Sequence, residues 1–504
     1  MNNQQLVFQT EKVEDCRTGK RQVISNIETC EKIEEFMGTT LGPYGLDKLF
    51  YGEKTVITND GATIMDMIEF DHPIGRILAS MSKSQDSKCG DGTTSIVLLG
   101  CEILRNIKKL LADNFEIKDI VEALRTLKEL CGNKIEELVV EYNKENLVKL
   151  AETCMNSKNV RNSKSFFSKI LVKNIHKKMS VDSNINFIYQ IGGSFEDSFI
   201  FNGIAFEKTF TYAGYEQQPK MIENPKIAFI NIELELRSEK GDTKFELTSV
   251  DEYKRFVDAE YKILTDKLDV CIESGVNVVL SSQPIGDIAT QYFAKHNVFC
   301  AGRVENLDQI ATALGGKVTS IIELLFLGSA DLFEEKQLGN KRFNFFTKKK
   351  SEIKTFIVRA PTTEILSEVE RSLHDTEFAI RSAVESKKII TGGGSVEMEL
   401  SKAIREYSIT INDNRRFIYA AIGQALEKIP TQLSENFGQD AIATVQRLRM
   451  FHSENPFYGV TIGEPADMKV LGVFEPLNVK LNAILGAFEI AELIIQIDGT
   501  LISK

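Results

Sequence analysis

The chain has 504 residues, and its 61 Lys and Arg against 72 Asp and Glu leave a formal charge of −11. At roughly 150 residues per domain this length implies about three domains, too much chain for one core. The acidic balance excludes a protein whose main task is to coat nucleic acid, because such binders are strongly basic.

The N-terminal stretch MNNQQLVFQTEKVED lacks the basic and apolar regions of a signal peptide. From about Ser25 to Tyr142 the pattern is mostly helical. Ile27, Cys30, Ile33 and Met37 recur every three or four residues and so share one helix face. Lys48–Thr58 reads as a hairpin turning at Gly52-Glu53-Lys54. Ser95–Ala112 reads as a longer helix with Ile96, Leu99, Ile103, Leu104, Ile107 and Leu111 inward. In the middle, KIAFINIELEL (226–236), VNVVLSS (276–282), RFNFFT (342–347) and KTFIVRA (354–360) are strand-like, and helical patterns at Val250–Leu268 and Ile285–Lys295 separate several of them. This alternation predicts an α/β domain of roughly 150 residues. The Lys348-Lys349-Lys350 run reads as a solvated loop. From about Leu366 the pattern is helical again almost to the end, and no apolar stretch is as long as a membrane span.

Eight cysteines are scattered without a C-x-x-C pair, and the five histidines never cluster. Reduced thiols are therefore expected, and a Cys/His metal site is not. The chemistry lies instead in clusters of small residues. Thr40-Leu41-Gly42-Pro43 follows the first helix, Thr58-Asn59-Asp60-Gly61-Ala62-Thr63 lies between a strand and a helix, and Gly90-Asp91-Gly92-Thr93-Thr94-Ser95 opens the long helix. In the third cluster the glycines let backbone approach a ligand. The N–H groups and dipole of a helix start favour phosphate, and three hydroxyls add donors. Asp91 alone would repel phosphate, but it can hold Mg²⁺. Taken by itself, the cluster reads equally well as a capped helix after a glycine turn. Gly392-Gly393-Gly394, between the strand Ile389-Ile390-Thr391 and a helix, is either another backbone-accessible turn or a plain connection. A Walker A loop and a dinucleotide fingerprint are both absent.

In order and approximate spacing, these four clusters, with Lys83-Ser84-Gln85-Asp86 ahead of the third, resemble the group II chaperonins, where they line one ATP pocket. Gly192-Gly193-Ser194, Tyr212-Ala213-Gly214-Tyr215-Glu216, Phe299-Cys300-Ala301-Gly302-Arg303, Arg342-Phe343-Asn344-Phe345-Phe346-Thr347 and Glu370-Arg371-Ser372-Leu373-His374-Asp375 resemble the eta-subunit family of the eukaryotic cytosolic chaperonin. The resemblance covers nearly the whole chain. It implies a multidomain α+β chaperonin fold. A mostly helical equatorial domain would come from 1–141 and 396–504, a small α/β intermediate domain from 142–206 and 361–395, and an α/β apical domain with a helical protrusion from 207–360.

The resemblance also implies roles. The family is an ATPase that folds proteins, with ATP/ADP, Mg²⁺ and K⁺ as cofactors. Asp91 matches the Mg²⁺ ligand, and Asp60 and Asp375 match the acids that orient the attacking water. Leu41, Gly42, Pro43, Gly92, Thr93, Thr94, Ser95 and Gly393 match the nucleotide pocket. Glu475 matches a ribose contact and Lys158 a sensor of the γ-phosphate. Without the family match, Asp375 reads as a surface acid paired with Arg371 or Arg381, and Glu475 as a solvated acid. Ile288, Gln291, Tyr292 and Lys295 match client-binding positions, although Tyr292 reads as well as a packed residue. The implied partners are paralogous subunits in a double ring and unfolded clients, cytoskeletal proteins such as actin and tubulin among them. Neither nucleic acid nor membrane is implied, and the expected location is the cytoplasm. Three features depart from the pattern: Tyr44 in place of a basic residue, a short loop before Lys158, and Ala360-Pro361 in place of a glycine pair. They keep open a structural ring subunit that binds nucleotide with little turnover.

Overall fold

The computed structural model describes residues 19–51, 55–157, 163–175, 185–207, 214–235, 250–322, 325–349 and 353–499. They form two compact units. The first contains the described residues up to Ile175 and from Ser367 onward, and the second lies between them in sequence, up to Leu366. The intermediate domain expected from the sequence is divided at these boundaries: 142–175 and 367–395 fall in the first unit, 185–206 and 361–366 in the second.

The first unit opens with α1 (Lys20–Gly38), the short antiparallel strands β1 (Lys48–Phe50) and β2 (Val56–Thr58), and α2 (Gly61–Met67). The hairpin turn at 52–54 lies outside the described residues. Next come α3 (Pro73–Cys89), α4 (Thr93–Ala112), α5 (Ile117–Glu137), α6 (Lys144–Met155) and α7 (Lys164–Ile175). The i, i+3, i+4 apolar spacing of α1 buries Val23, Ile27, Cys30, Ile33 and Met37 against α4.

The second unit holds two sheets. Its elements in chain order are β3 (Ile185–Ile191), β4 (Phe199–Glu207), β5 (Met221–Glu223), β6 (Lys226–Ile230), α8 (Val250–Glu273), β7 (Val278–Ser281), α9 (Asp287–Lys295), β8 (Phe299–Ala301), α10 (Leu307–Leu314), β9 (Gly328–Ser329), β10 (Leu332–Leu338), β11 (Lys341–Thr347) and β12 (Lys354–Ala360). Strands β6, β7 and β8 are parallel, joined through α8 and α9, with β9 antiparallel at the edge. Ile227, Phe229, Val278 and Leu280 enter one core, while Ala228, Ile230 and Val279 enter another. A sheet covered on both faces needs such unbroken apolar strands. The run read as 226–236 is a strand only to Ile230; the Asn231 side chain then accepts from Ser282 and Gln283, and the chain leaves the ladder. The second sheet has the order β3-β12-β4-β11-β10-β5. Of the basic run, Lys348 sets its Nζ on the Leu314 carbonyl and the Lys349 N–H donates to Asp331, while Lys350 lies outside the described residues.

The chain re-enters the first unit through α11 (Thr363–Ser386). It continues with β13 (Ile389–Thr391), α12 (Ser395–Ile409), α13 (Arg415–Ala425), α14 (Lys428–Asn436), α15 (Ala441–Phe451), the short pair β14 (Tyr458–Gly459) and β15 (Ala466–Asp467), α16 (Met468–Leu471), β16 (Phe474–Pro476) and α17 (Leu477–Ile495). Helix α17 packs on α4, α5 and α3. None of the described helices is long and apolar enough to cross a membrane.

Candidate active site

The α3–α4 connection builds the centre of the site. Gly90 ends α3 and Gly92 begins α4, both in the left-handed region at φ 65° and 79°, where glycine alone is unstrained. Asp91 stands between them; its Oδ1 accepts from the Gly92 N–H at 2.7 Å, and its carbonyl accepts from Gln85 Nε2 at 3.0 Å. No side chain caps α4. Its first turn, Thr93-Thr94-Ser95, therefore starts the helix with the anion-favouring end uncapped.

Asp60 caps α2. Its Oδ2 accepts from the N–H and the hydroxyl of Thr63 at 2.9 and 2.6 Å, and its Oδ1 from the Thr93 hydroxyl at 3.2 Å. The second and third clusters thus meet. A β-carbon at Gly61 would lie 2.7 Å from the Thr94 nitrogen, so only glycine lets these helix starts come so close.

Helix α11 closes one side. The Arg371 guanidinium donates to the Thr58 hydroxyl at 2.7 Å, two residues from Asp60. At the other end a β-carbon on Gly90 would be 2.6 Å from that of Phe378. Asp375 lies four residues after Arg371 and three before Phe378, on the same helix face, and is only 7% exposed. The burial of Asp375 does not fit a surface acid; Arg371 pairs with Glu368, and Arg381 with Glu377.

The other loops join through α14 and β16. A side chain at Gly42 (φ 81°) would strike Leu433, and one at Gly394 would press on Pro430, one turn earlier in α14. The carbonyl of Leu41 accepts from Asn436. Tyr44 sets its ring edge-on to Phe437 at 5.3 Å. Glu475 pairs with Ile390 across β13–β16, and its Oε1 occupies the space a Gly392 side chain would need. It is not a solvated acid, because Lys480 holds its Oε2 at 2.8 Å. Burial pushes the Glu475 carboxyl up from its ordinary range; Lys480 opposes this, while Glu397 and Asp91 add to it.

The structure therefore joins Asp60 and Gly61 to Thr93 and Thr94 beside Asp91, ties Leu41 and Gly42 to Gly394 through α14, and packs Glu475 on Gly392, while Asp375, Ser95 and Gly393 lie on the same elements of this one unit. Lys158 lies outside the described residues; the Ser157 carbonyl just before it accepts from Asn59, beside Asp60. Sequence reasoning missed Gln85, Arg371, Glu397 and Lys480 as parts of this assembly. Gln85 and Arg371 do sit inside strings that carried the resemblance.

In the second unit, Ile288, Gln291, Tyr292 and Lys295 follow the i, i+3, i+4, i+7 stripe of α9. Gln291 and Lys295 are exposed and the other two half-buried. The Tyr292 hydroxyl donates to Asp269 at 2.5 Å. Of the helical protrusion, which the resemblance puts near 239–258, 239–249 lies outside the described residues and 250–258 begins α8.

A helical unit built from both chain ends, carrying a glycine- and threonine-lined site, and a mixed-sheet unit between them define the class. The chain belongs to the TCP-1/cpn60 chaperonin family, whose profile matches residues 33–504. It thus has the multidomain α+β chaperonin fold and acts in protein folding, and membership implies nucleotide binding. It is 48% identical over 506 residues to the T-complex protein 1 subunit eta of Encephalitozoon cuniculi (strain GB-M1), covering 99% of each chain. It is 42% identical to the eta subunits of Homo sapiens, covering 97% of this chain and 93% of that one, and of Arabidopsis thaliana, covering 96% and 91%. The eta-subunit resemblance read from the mid-chain strings is borne out.

Proposed function

We propose that the four loops hold ATP and that its hydrolysis drives a folding cycle, with the chain serving as one subunit of a hetero-oligomeric double ring of paralogous chaperonin subunits in the cytoplasm. Its three-domain division would be the equatorial, intermediate and apical one stated above, and α9 would present Ile288, Gln291, Tyr292 and Lys295 to unfolded clients. The residues fit the group: an uncapped helix start, a carboxylate flanked by glycines, and glycine turns with no space for side chains.

Phosphoryl transfer is mostly positioning and charge neutralisation. Asp91 would hold Mg²⁺, which when bound, together with K⁺, offsets the repulsion between phosphate and these carboxylates. Asp60 and Asp375 would accept hydrogen bonds from the attacking water and orient it. Thr93, Thr94 and Ser95 would bind phosphate through the α4 N-terminus, and Lys158 would sense the terminal phosphate. Asp375 rides on one 24-residue helix, α11, so a shift of that helix would make or break the water site and gate turnover.

The observation that carries this reading is the burial of Asp375 between its own helix's contacts to the Asp60 and Asp91 loops. An assembled complex containing Asp375→Ala tests it by single-turnover conversion of a photo-reactive ATP analogue cross-linked to this chain. Labelling is expected to persist while conversion to ADP falls by roughly 10²- to 10⁴-fold; unchanged conversion rejects the role. A ring subunit that binds nucleotide with little turnover is the second reading, favoured by the aromatic Tyr44 in place of a cation, the short loop before Lys158 and Ala360-Pro361. In that case the wild-type chain labels and stays in the ATP form.

A further inference from the structure

Behind the site lies a buried charge cluster that the mechanism above does not use. Lys480, in the first turn of α17, sets its Nζ 2.9 Å from Glu397 Oε1 and 2.8 Å from Glu475 Oε2. Its side chain is 6% exposed and that of Glu397 is 1% exposed. Glu397 is in the first turn of α12, three residues past the glycine loop, and its Oε2 is buried without a hydrogen-bond partner. Two carboxylates share one ammonium, and of the three groups Lys480 and Glu397 are buried while Glu475 is partly exposed. Such an arrangement is costly, and well-packed apolar residues of similar volume would hold a helix–strand junction at least as firmly. Stability therefore does not account for it.

The orientation of Glu475 does. One oxygen is fixed on Lys480, and the other lies against the Gly392 backbone, 2.5 Å from where a β-carbon would stand. An untethered glutamate would rotate about its last torsion. This one cannot do so without abandoning a buried cation. Glu475 remains 24% exposed, so it still reaches the surface of the site.

We propose that Lys480, backed by Glu397, is a positioning residue. It locks the Glu475 carboxylate in the orientation that accepts a hydrogen bond from a ribose hydroxyl, and so sets the preference for ribonucleotides over deoxyribonucleotides without touching the ligand. This rests on the nucleotide reading of the site. A hydroxyl donating to a fixed carboxylate contributes roughly tenfold or more in affinity, and a freely rotating carboxylate gives up most of it.

The test is competition. The assembled complex is labelled with 8-azido-ATP, the label on this chain is resolved by mass, and ATP, 2′-deoxy-ATP and 3′-deoxy-ATP are compared as competitors. The wild type should favour ATP over at least one deoxy form by roughly tenfold. The double variant Lys480→Met with Glu397→Gln keeps the cluster's net charge at one negative and is expected to assemble, and its preference should fall to within about twofold while it still labels. Glu397→Gln alone leaves Lys480 on Glu475 and should keep the preference. A double variant that retains the wild-type ratio, or that weakens all three competitors equally, overturns the proposal, as does a wild type indifferent to both hydroxyls. A wild type that does not label at all overturns the nucleotide reading itself.

Discussion

At the scale of single residues, Asp60 and Gly61 tie the starts of α2 and α4 together. The carboxylate reaches the Thr93 hydroxyl, and the absent side chain lets the two backbones approach. Gly61→Ala should therefore push α2 off α4. A loss of roughly 1–3 kcal/mol is expected from overpacking, together with reduced nucleotide labelling of this chain; a variant with unchanged unfolding midpoint and labelling would contradict the contact. The residues at this junction were legible because each cluster is local: a short string of glycines, hydroxyls and one acid. Lys480 and Glu397 were not, since 83 residues separate them and no charge pattern in either helix marks the pairing; Glu475 was named only through the family match. Asp375 was legible only through the family strings, because a lone acid on an amphipathic helix is ordinarily a surface group.

Among elements, α4 is the keystone of the helical unit. Gly100 brings it against Ile490, and Gly486 brings α17 against Ile96, so each helix uses one glycine to approach the other. Beside this core, Glu34 of α1 is buried between Arg105 and Lys428. Desolvation raises its carboxyl from 4.5 to about 7, with Glu102 adding and Lys428 and Arg105 opposing. The unfolded chain releases this proton near the ordinary carboxylate range while the folded chain keeps it. Glu34 therefore contributes most below about 4.5, loses that contribution as pH rises to about 7, and is level above it. The unfolding midpoint of wild type relative to Glu34→Gln should fall across that window; a constant or rising difference would contradict the burial argument. The apolar period made α1 and α4 readable. Strands β4 and β10 were not, because Asn202-Gly203 interrupts one and Glu334, Glu335 and Lys336 fill the other. Pairing with β11 makes both of them strands, β10 as the other arm of a hairpin and β4 through contacts far away in sequence.

For the whole molecule, the first unit carries the candidate ATP site and the second the α9 stripe, so the two activities are separable by mutation. Replacing Tyr292 and Lys295 together by Ala should leave nucleotide labelling intact and change the capture of unfolded client by the assembled complex. Client capture identical to wild type would remove α9 from the client surface. The nested order, in which the chain leaves the helical unit and returns to it, was read through the family resemblance, since nothing local in the sequence says that residues beyond 367 rejoin the first 175. The central claim is that carboxylates from distant parts of the chain meet around one terminal phosphate. Electron microscopy of the assembled complex with ADP and a phosphate mimic, resolved at this subunit, measures it directly. The account predicts density against the α4 start, Asp91 on the metal, and Asp60 and Asp375 each within about 5–6 Å of the mimic, the span of one bridging water. Nucleotide bound elsewhere, or Asp375 turned away from an occupied site, would contradict it.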